Sequence, residues 1–203
     1  MDDGRFARAI AAIDAANADD PNRITVAGEE RPKELAHAEL ATAWVHRLRP
    51  DAGEELLLAA RAHHLRRWAI PRDSYPEGRN GYLRWRRELQ KAHAADVGRI
   101  LEGEGYDATT VARVQEIIQK RRLSSDPEVQ TFEDALCLVF LETQLTDFAE
   151  RYADKAADVL EKTIEKMSDE GKARALELDV SPAERALLTE VVGSPPDAQS
   201  RSG

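Results

Sequence analysis

The chain has one cysteine, Cys137, in 203 residues. That excludes an internal disulfide framework and any cysteine-rich zinc site. Glycine and proline are scarce, with 11 and 9 residues, and aromatics make up only 5%. No apolar run approaches the roughly 20 residues needed to cross a bilayer, so a membrane protein is not expected. The opening stretch MDDGRFARAI is acidic and lacks an apolar signal core. The expectation is a cytoplasmic protein. Positive charge is also in deficit: 29 Lys and Arg face 38 Asp and Glu, a formal net charge of −9. Such a surface repels a phosphate backbone, so nucleic acid is an unfavoured partner. Neither a convincing strand run nor an internal repeat is visible.

What remains is rich in helix formers. Hydrophobic residues are 42% and charged residues 33%, the balance of a globular chain. Phe6, Ile10 and Ile13 recur near helical period, and Ala36, Leu40, Ala41, Trp44 and Leu48 share one face of a segment over 33–48. The stretch DDPNRITVAGEERP between them reads as a loop. A third helix over about 53–68 carries LLLAARA and stops at Pro71. The Pro/Gly-rich loop PRDSYPEGRNGY follows, then a long helix over about 83–101 and another over 111–120. From Glu128 to Tyr152 apolar residues at Phe132, Leu136, Leu138, Leu141, Leu145 and Phe148 mark the most hydrophobic helix. The fold class predicted is all-α. One helical domain of seven or eight helices covers 1–192, with a disordered tail at 193–203. Charge is unevenly spread. Residues 61–91 hold nine Arg and Lys against three acids, and residues 142–203 hold fourteen acids against eight bases. A basic patch on an acidic protein points to a small anionic molecule as ligand. The amphipathic C-terminal third is a candidate homodimer contact.

Several polar residues fall on apolar faces. His37 precedes Leu40, Ala41 and Trp44 by three, four and seven positions, so its ring points to the core side. His63 and His64 follow LLLAARA directly, and at least one must face inward. His93 lies on the long helix after the loop. Asp134 precedes Leu138, Leu141 and Leu145 by four, seven and eleven residues, on the apolar stripe itself. An ionised carboxylate there needs a partner: an arginine, a backbone cap or a metal. Three imidazoles and a carboxylate on separate helices suit Zn, Fe, Mn or Ni.

Three blocks, PKELAHAELATAWVHRL, EELLLAARAHHLRRW and FEDALCLVFLE, resemble the helical HD superfamily of metal-dependent phosphohydrolases. The resemblance implies that His37 is the first ligand, His63 the histidine of the His-Asp pair, and Asp134 the distant aspartate. His64 stands where the superfamily has the aspartate that binds metal and positions the attacking water, and His93 matches the extra histidine of longer variants. Asp134 and His64 are thereby the candidate catalytic residues. The longer block ARAHHLRRWAIPRDSYPEGRNGYLRWRRELQKAH, with DPEVQTFEDALCLVFLE, resembles the domain of unknown function 4202 family over about 5–190. That resemblance implies the same all-α fold and no particular activity.

Around the histidines, Arg72 and Arg79 sit on the Pro/Gly-rich loop, where binding groups gather. With Lys91 they are the candidate anion-holding residues, and Tyr82 is a candidate lid. Asp126 and Glu133 are candidates for a general base or a group supporting the ligands, and Asp126, before Pro127, reads equally as a helix cap. The function expected is an HD-like hydrolase that uses a divalent metal (Zn, Mn, Fe or Ni) on a small phosphorylated or otherwise anionic substrate. The alternatives are an inactive HD-like binding module and an HD-type iron oxygenase.

Overall fold

The structure is a computed structural model, and it describes residues 3–26, 28–146 and 153–193. Spacing of three and four apolar residues sets the first helices. Helix α1 (Asp3–Ala18) buries Ala9, Ile13 and Ala16. The segment predicted as a loop instead forms a hairpin, β1 (Arg23–Val26) antiparallel to β2 (Glu29–Pro32), with Ile24 opposite Arg31. Four-residue strands, one of them EERP, are too short and too charged for alternation to reveal. Helix α2 (Lys33–Leu48) starts at Pro32, which supplies no side-chain cap. Its Glu34 N–H donates instead to Asp20 Oδ2 at 2.9 Å, and Asp20 Oδ1 takes the Asn22 N–H and side-chain amide. An acid fourteen residues upstream thus ties down the end of the helix that carries Glu34.

Helix α3 (Glu54–Ala62) buries Leu56 through Ala60 and Ala62, so it is apolar nearly all round and lies among α1, α2 and α5. Helix α4 (Gly78–Gly103) begins five residues earlier than predicted, which puts Arg79 in its first turn and not on a loop. Asp107 caps α5 (Ala108–Ile118), accepting from the N–H groups of Thr109 and Thr110. Asp126 accepts from the N–H groups of Glu128 and Val129 at the start of α6 (Pro127–Thr143), and the cap reading of that residue holds. Its carboxylate also pairs with both Nη atoms of Arg113, which holds it at a pKa of about 2.

Packing groups the chain into two compact units, Met1–Phe132 and Glu133–Gly203. The sequence reading over 1–192 marks no boundary there. The second unit holds the end of α6 with α7 (Ala153–Ile164), α8 (Asp169–Glu177) and α9 (Pro182–Gly193). It buries Leu138, Leu141, Leu145, Leu160, Ile164 and Leu188. The described residues therefore contain nine α-helices where seven or eight were predicted, because Ser168 and Pro182 start new helices within the charged C-terminal third. Within this unit α8 packs tightly on α6: a Cβ on Gly171 would lie 2.7 Å from Cγ of Asp134. Gly171→Ala should therefore destabilise by about 1–3 kcal/mol, the usual range for overpacking. In thermal melts that is a fall of several degrees, whereas an unchanged melting point would mean that Asp134 moves aside freely. The predicted all-α class stands. No described helix is long and apolar enough to cross a membrane.

Candidate metal centre

Three segments of the first unit meet at one point. Helix α2 presents Glu34 and His37 three positions apart, hence on one face. Helix α3 ends at Ala62, and His63 and His64 follow it. The chain then turns sharply at Arg66, which has a left-handed backbone (φ 52°, ψ 38°) held by a bond from its N–H to Asn17 Oδ1. That turn starts the short 3-10 segment Arg67–Ala69 and brings Arg67 back beside His64. Helix α4 adds His93, whose Nδ1 lies 2.8 Å from the Leu65 carbonyl oxygen.

The centre is Glu34, His37 and His64, each offering one ligand atom, all within 4.8 Å of one another. Glu34 and His37 are only 5% and 2% exposed, while the His64 side chain is 31% exposed. Nδ1 of His64 lies 3.0 Å from Glu34 Oε2, and Nδ1 of His37 lies 3.6 Å from the same oxygen. The Arg67 Nη1 donates to His64 Nε2 at 3.3 Å, and its Nε stands 3.9 Å from Glu34 Oε1.

These contacts assign the tautomers. A guanidinium only donates, so His64 Nε2 carries the lone pair and Nδ1–H donates to Glu34. His63 Nδ1–H donates to the Ala60 carbonyl at 2.8 Å, and His93 Nδ1–H to the Leu65 carbonyl. Their Nε2 atoms therefore also carry lone pairs. His93 is 3% exposed, and among the described residues its Nε2 has no hydrogen-bond partner. Burial pulls the His63 pKa down to about 3 and that of His93 to about 4, against the opposing carbonyl bonds. Burial, then the neighbouring His63 and Arg67, depress His64 as well. For Glu34 burial pushes the carboxyl up, but its electrostatic interaction with His64 and hydrogen bonding from His37 and His64 outweigh that. The carboxyl is held well below the usual range. The centre thus sets one ionised carboxylate beside the lone-pair-bearing Nε2 of His64, with the rings of His63 and His93 flanking it.

The residues named from sequence divide. His37 and His64 lie in the three-residue group. The His63 and His93 rings flank that of His64, with centroids 4.2 and 5.9 Å away. Asp134 belongs to the second unit, where it accepts from the Ser168 N–H at 2.8 Å and the Ser168 hydroxyl at 2.5 Å, at the N-cap of α8. Arg72 turns its Nη atoms onto the carbonyls of Tyr75 and Pro76. Lys91 is exposed and pairs with Glu88, Arg79 is exposed, and Tyr82 is 43% exposed beside Trp85.

Residues 7–188 match a family model described as Domain of unknown function (DUF4202). The chain belongs to the DUF4202 family. No curated protein and no solved structure matches it. The DUF4202 span includes Glu34, all four inward-facing histidines and Asp134. One residue of the centre escaped the sequence reading. Glu34 was legible as Glu-x-x-His, a carboxylate and an imidazole one helical turn apart. Arg67 was one of eight arginines in 61–91, and only the turn at Arg66 singles it out.

Proposed function

We propose that Glu34, His37 and His64 form a divalent-metal centre, and that the protein is an HD-like hydrolase of a small phosphorylated or otherwise anionic compound. The observation that carries this reading is the convergence of three ligand atoms within 4.8 Å around a buried carboxylate. The donor set fits a metal: two imidazoles and a carboxylate make up both catalytic zinc sites and non-haem iron sites. When bound, a divalent ion would polarise a phosphoryl oxygen and lower the pKa of water. The protein's own groups prepare that chemistry. Glu34 supplies the negative charge that His64 cannot. The carbonyls of Ala60 and Leu65 orient His63 and His93 by the outer-shell bonds that metal-ligating imidazoles ordinarily make. The His93 Nε2, buried and without a partner among the described residues, is a further donor for the ion or for substrate. In this proposal Asp134 organises α8 and stands outside the ligand set.

One observation favours the non-catalytic alternative. The Arg67 guanidinium occupies the His64 lone pair, so His64 as it stands is a hydrogen-bonded structural histidine. Elemental analysis of purified protein separates the readings. Wild type should carry near one equivalent of Zn, Mn, Fe or Ni. His64→Ala should lose it and Asp134→Asn should keep it. Loss in Asp134→Asn would return that residue to the ligand set, and no metal in wild type after incubation and desalting would overturn the proposal. Zinc or manganese directs the next assay to phosphate release, iron to oxygen consumption.

A further inference from the structure

The cations around this centre are not equivalent. Arg72 is spent on two carbonyls, Lys91 on Glu88 and Arg61 on Asp14. Arg67 differs. Its guanidinium lies over the Trp85 ring at 4.9 Å, so one face is packed and the donor edge is presented sideways. Among the described residues its side chain makes one hydrogen bond, Nη1 to His64 Nε2 at the long distance of 3.3 Å. Its Nε, 3.9 Å from Glu34, is beyond hydrogen-bond range. The side chain is 31% exposed, so solvent reaches it. A stacked guanidinium with unused donors is the group that grips an oxyanion in bidentate fashion.

We propose that Arg67 is the oxyanion anchor of this centre, and that it caps the His64 lone pair until an anion draws it away. The second half rests on the metal reading; the first does not. The chemistry is competitive. The Nδ1–H of His64 donates to Glu34, so Nε2 carries the lone pair that could take a cation, and Nε2 is the atom that Arg67 holds. An anion that recruits the guanidinium releases that lone pair. Anion and metal then favour each other, and linkage requires each to raise the other's affinity by the same factor.

The experiment uses the intact chain, Mn²⁺ and inorganic phosphate. Free Mn²⁺ is followed by electron paramagnetic resonance with and without phosphate, corrected for complexes formed in solution. Wild type should bind Mn²⁺ roughly tenfold more tightly in saturating phosphate. Arg67→Gln should bind Mn²⁺ more tightly than wild type without phosphate and show no gain when it is added. Its phosphate affinity should fall roughly tenfold or more. Arg99→Gln, which removes an exposed charge paired with Asp96, should behave as wild type. On the wild-type protein, phosphate should slow phenylglyoxal modification of Arg67, read by mass spectrometry. This arm does not depend on any variant folding. Unaltered labelling of Arg67, or undiminished phosphate affinity in Arg67→Gln, would overturn the assignment. Absence of Mn²⁺ binding in wild type would overturn the metal reading and the coupling, while the labelling arm still decides whether Arg67 is the anchor.

Discussion

Glu34→Gln should leave the protein folded and strip it of metal. The amide oxygen still accepts from the Nδ1–H of His64, and the Glu34 N–H still reaches Asp20 Oδ2. What disappears is the one carboxylate of the three-residue group. Outer-shell substitutions around metal ligands typically cost 10–100-fold in affinity, so loss of the only anionic ligand should cost about two orders of magnitude or more. Calorimetric titration with Zn²⁺ or Mn²⁺ measures it. Glu34→Ala should lose the metal too, but also destabilise the unit, because it leaves His64 Nδ1 and a buried void without an acceptor. The pair of variants therefore separates charge from packing. A Glu34→Gln protein that retains full metal affinity would show that the ion sits elsewhere.

The helices were legible where burial is local. Ile13 in α1, Ala36, Ala41 and Trp44 in α2 and the LLLAARA run in α3 bury as their spacing requires, while Phe6, Ile10, Leu40 and Leu48 on the same predicted faces are only half-buried. The start of α4 was not. Asn80, Gly81 and Tyr82 read as loop, yet all three are helical, and position 81 requires glycine because any Cβ would sit 1.8 Å from the Pro76 carbonyl oxygen. Glycine marks that close approach of the backbone, not a turn. The inward His37 and His63 were legible for the same reason as the core, from the apolar residues around them, whereas the burial of His93 was not read from its helix. Glu34 was hidden by its position, since an acid in the first turn of a helix satisfies the helix dipole without any further role. The partner of Asp134 was one of three kinds in prospect, and the backbone kind is present. It lies at Ser168, thirty-four residues on, a distance that no local spacing reveals.

Acid should weaken the metal-free protein well above the pH at which its carboxylates titrate. His63 and His93 hold native pKa values of about 3 and about 4 because they are buried, whereas an unfolded chain restores them to near 6.5. Between about pH 6.5 and 4 the unfolded state therefore binds more protons than the native state, and stability rises with pH. Each imidazole contributes stability that is fully present above pH 6.5 and is lost as pH falls, with a slope of up to about 1.4 kcal/mol per pH unit in that window. The Glu34 carboxyl, held well below its ordinary value, acts in the same direction but only under more acidic conditions. In the presence of chelator, the melting temperature should hold steady from pH 8 to 7. It should then drop by several degrees per unit below 6.5. Burial depresses His63, His64 and His93 alike, so His93→Gln, whose amide can still donate to the Leu65 carbonyl, removes one of three such imidazoles, and its slope should be about two-thirds that of wild type. An equal slope in wild type and His93→Gln would mean that the His93 ring is charged in the native state. Its Nε2 would then be no lone pair for any ion. Saturation with Zn²⁺ should steepen the acid limb, because protons and metal compete for the same nitrogens.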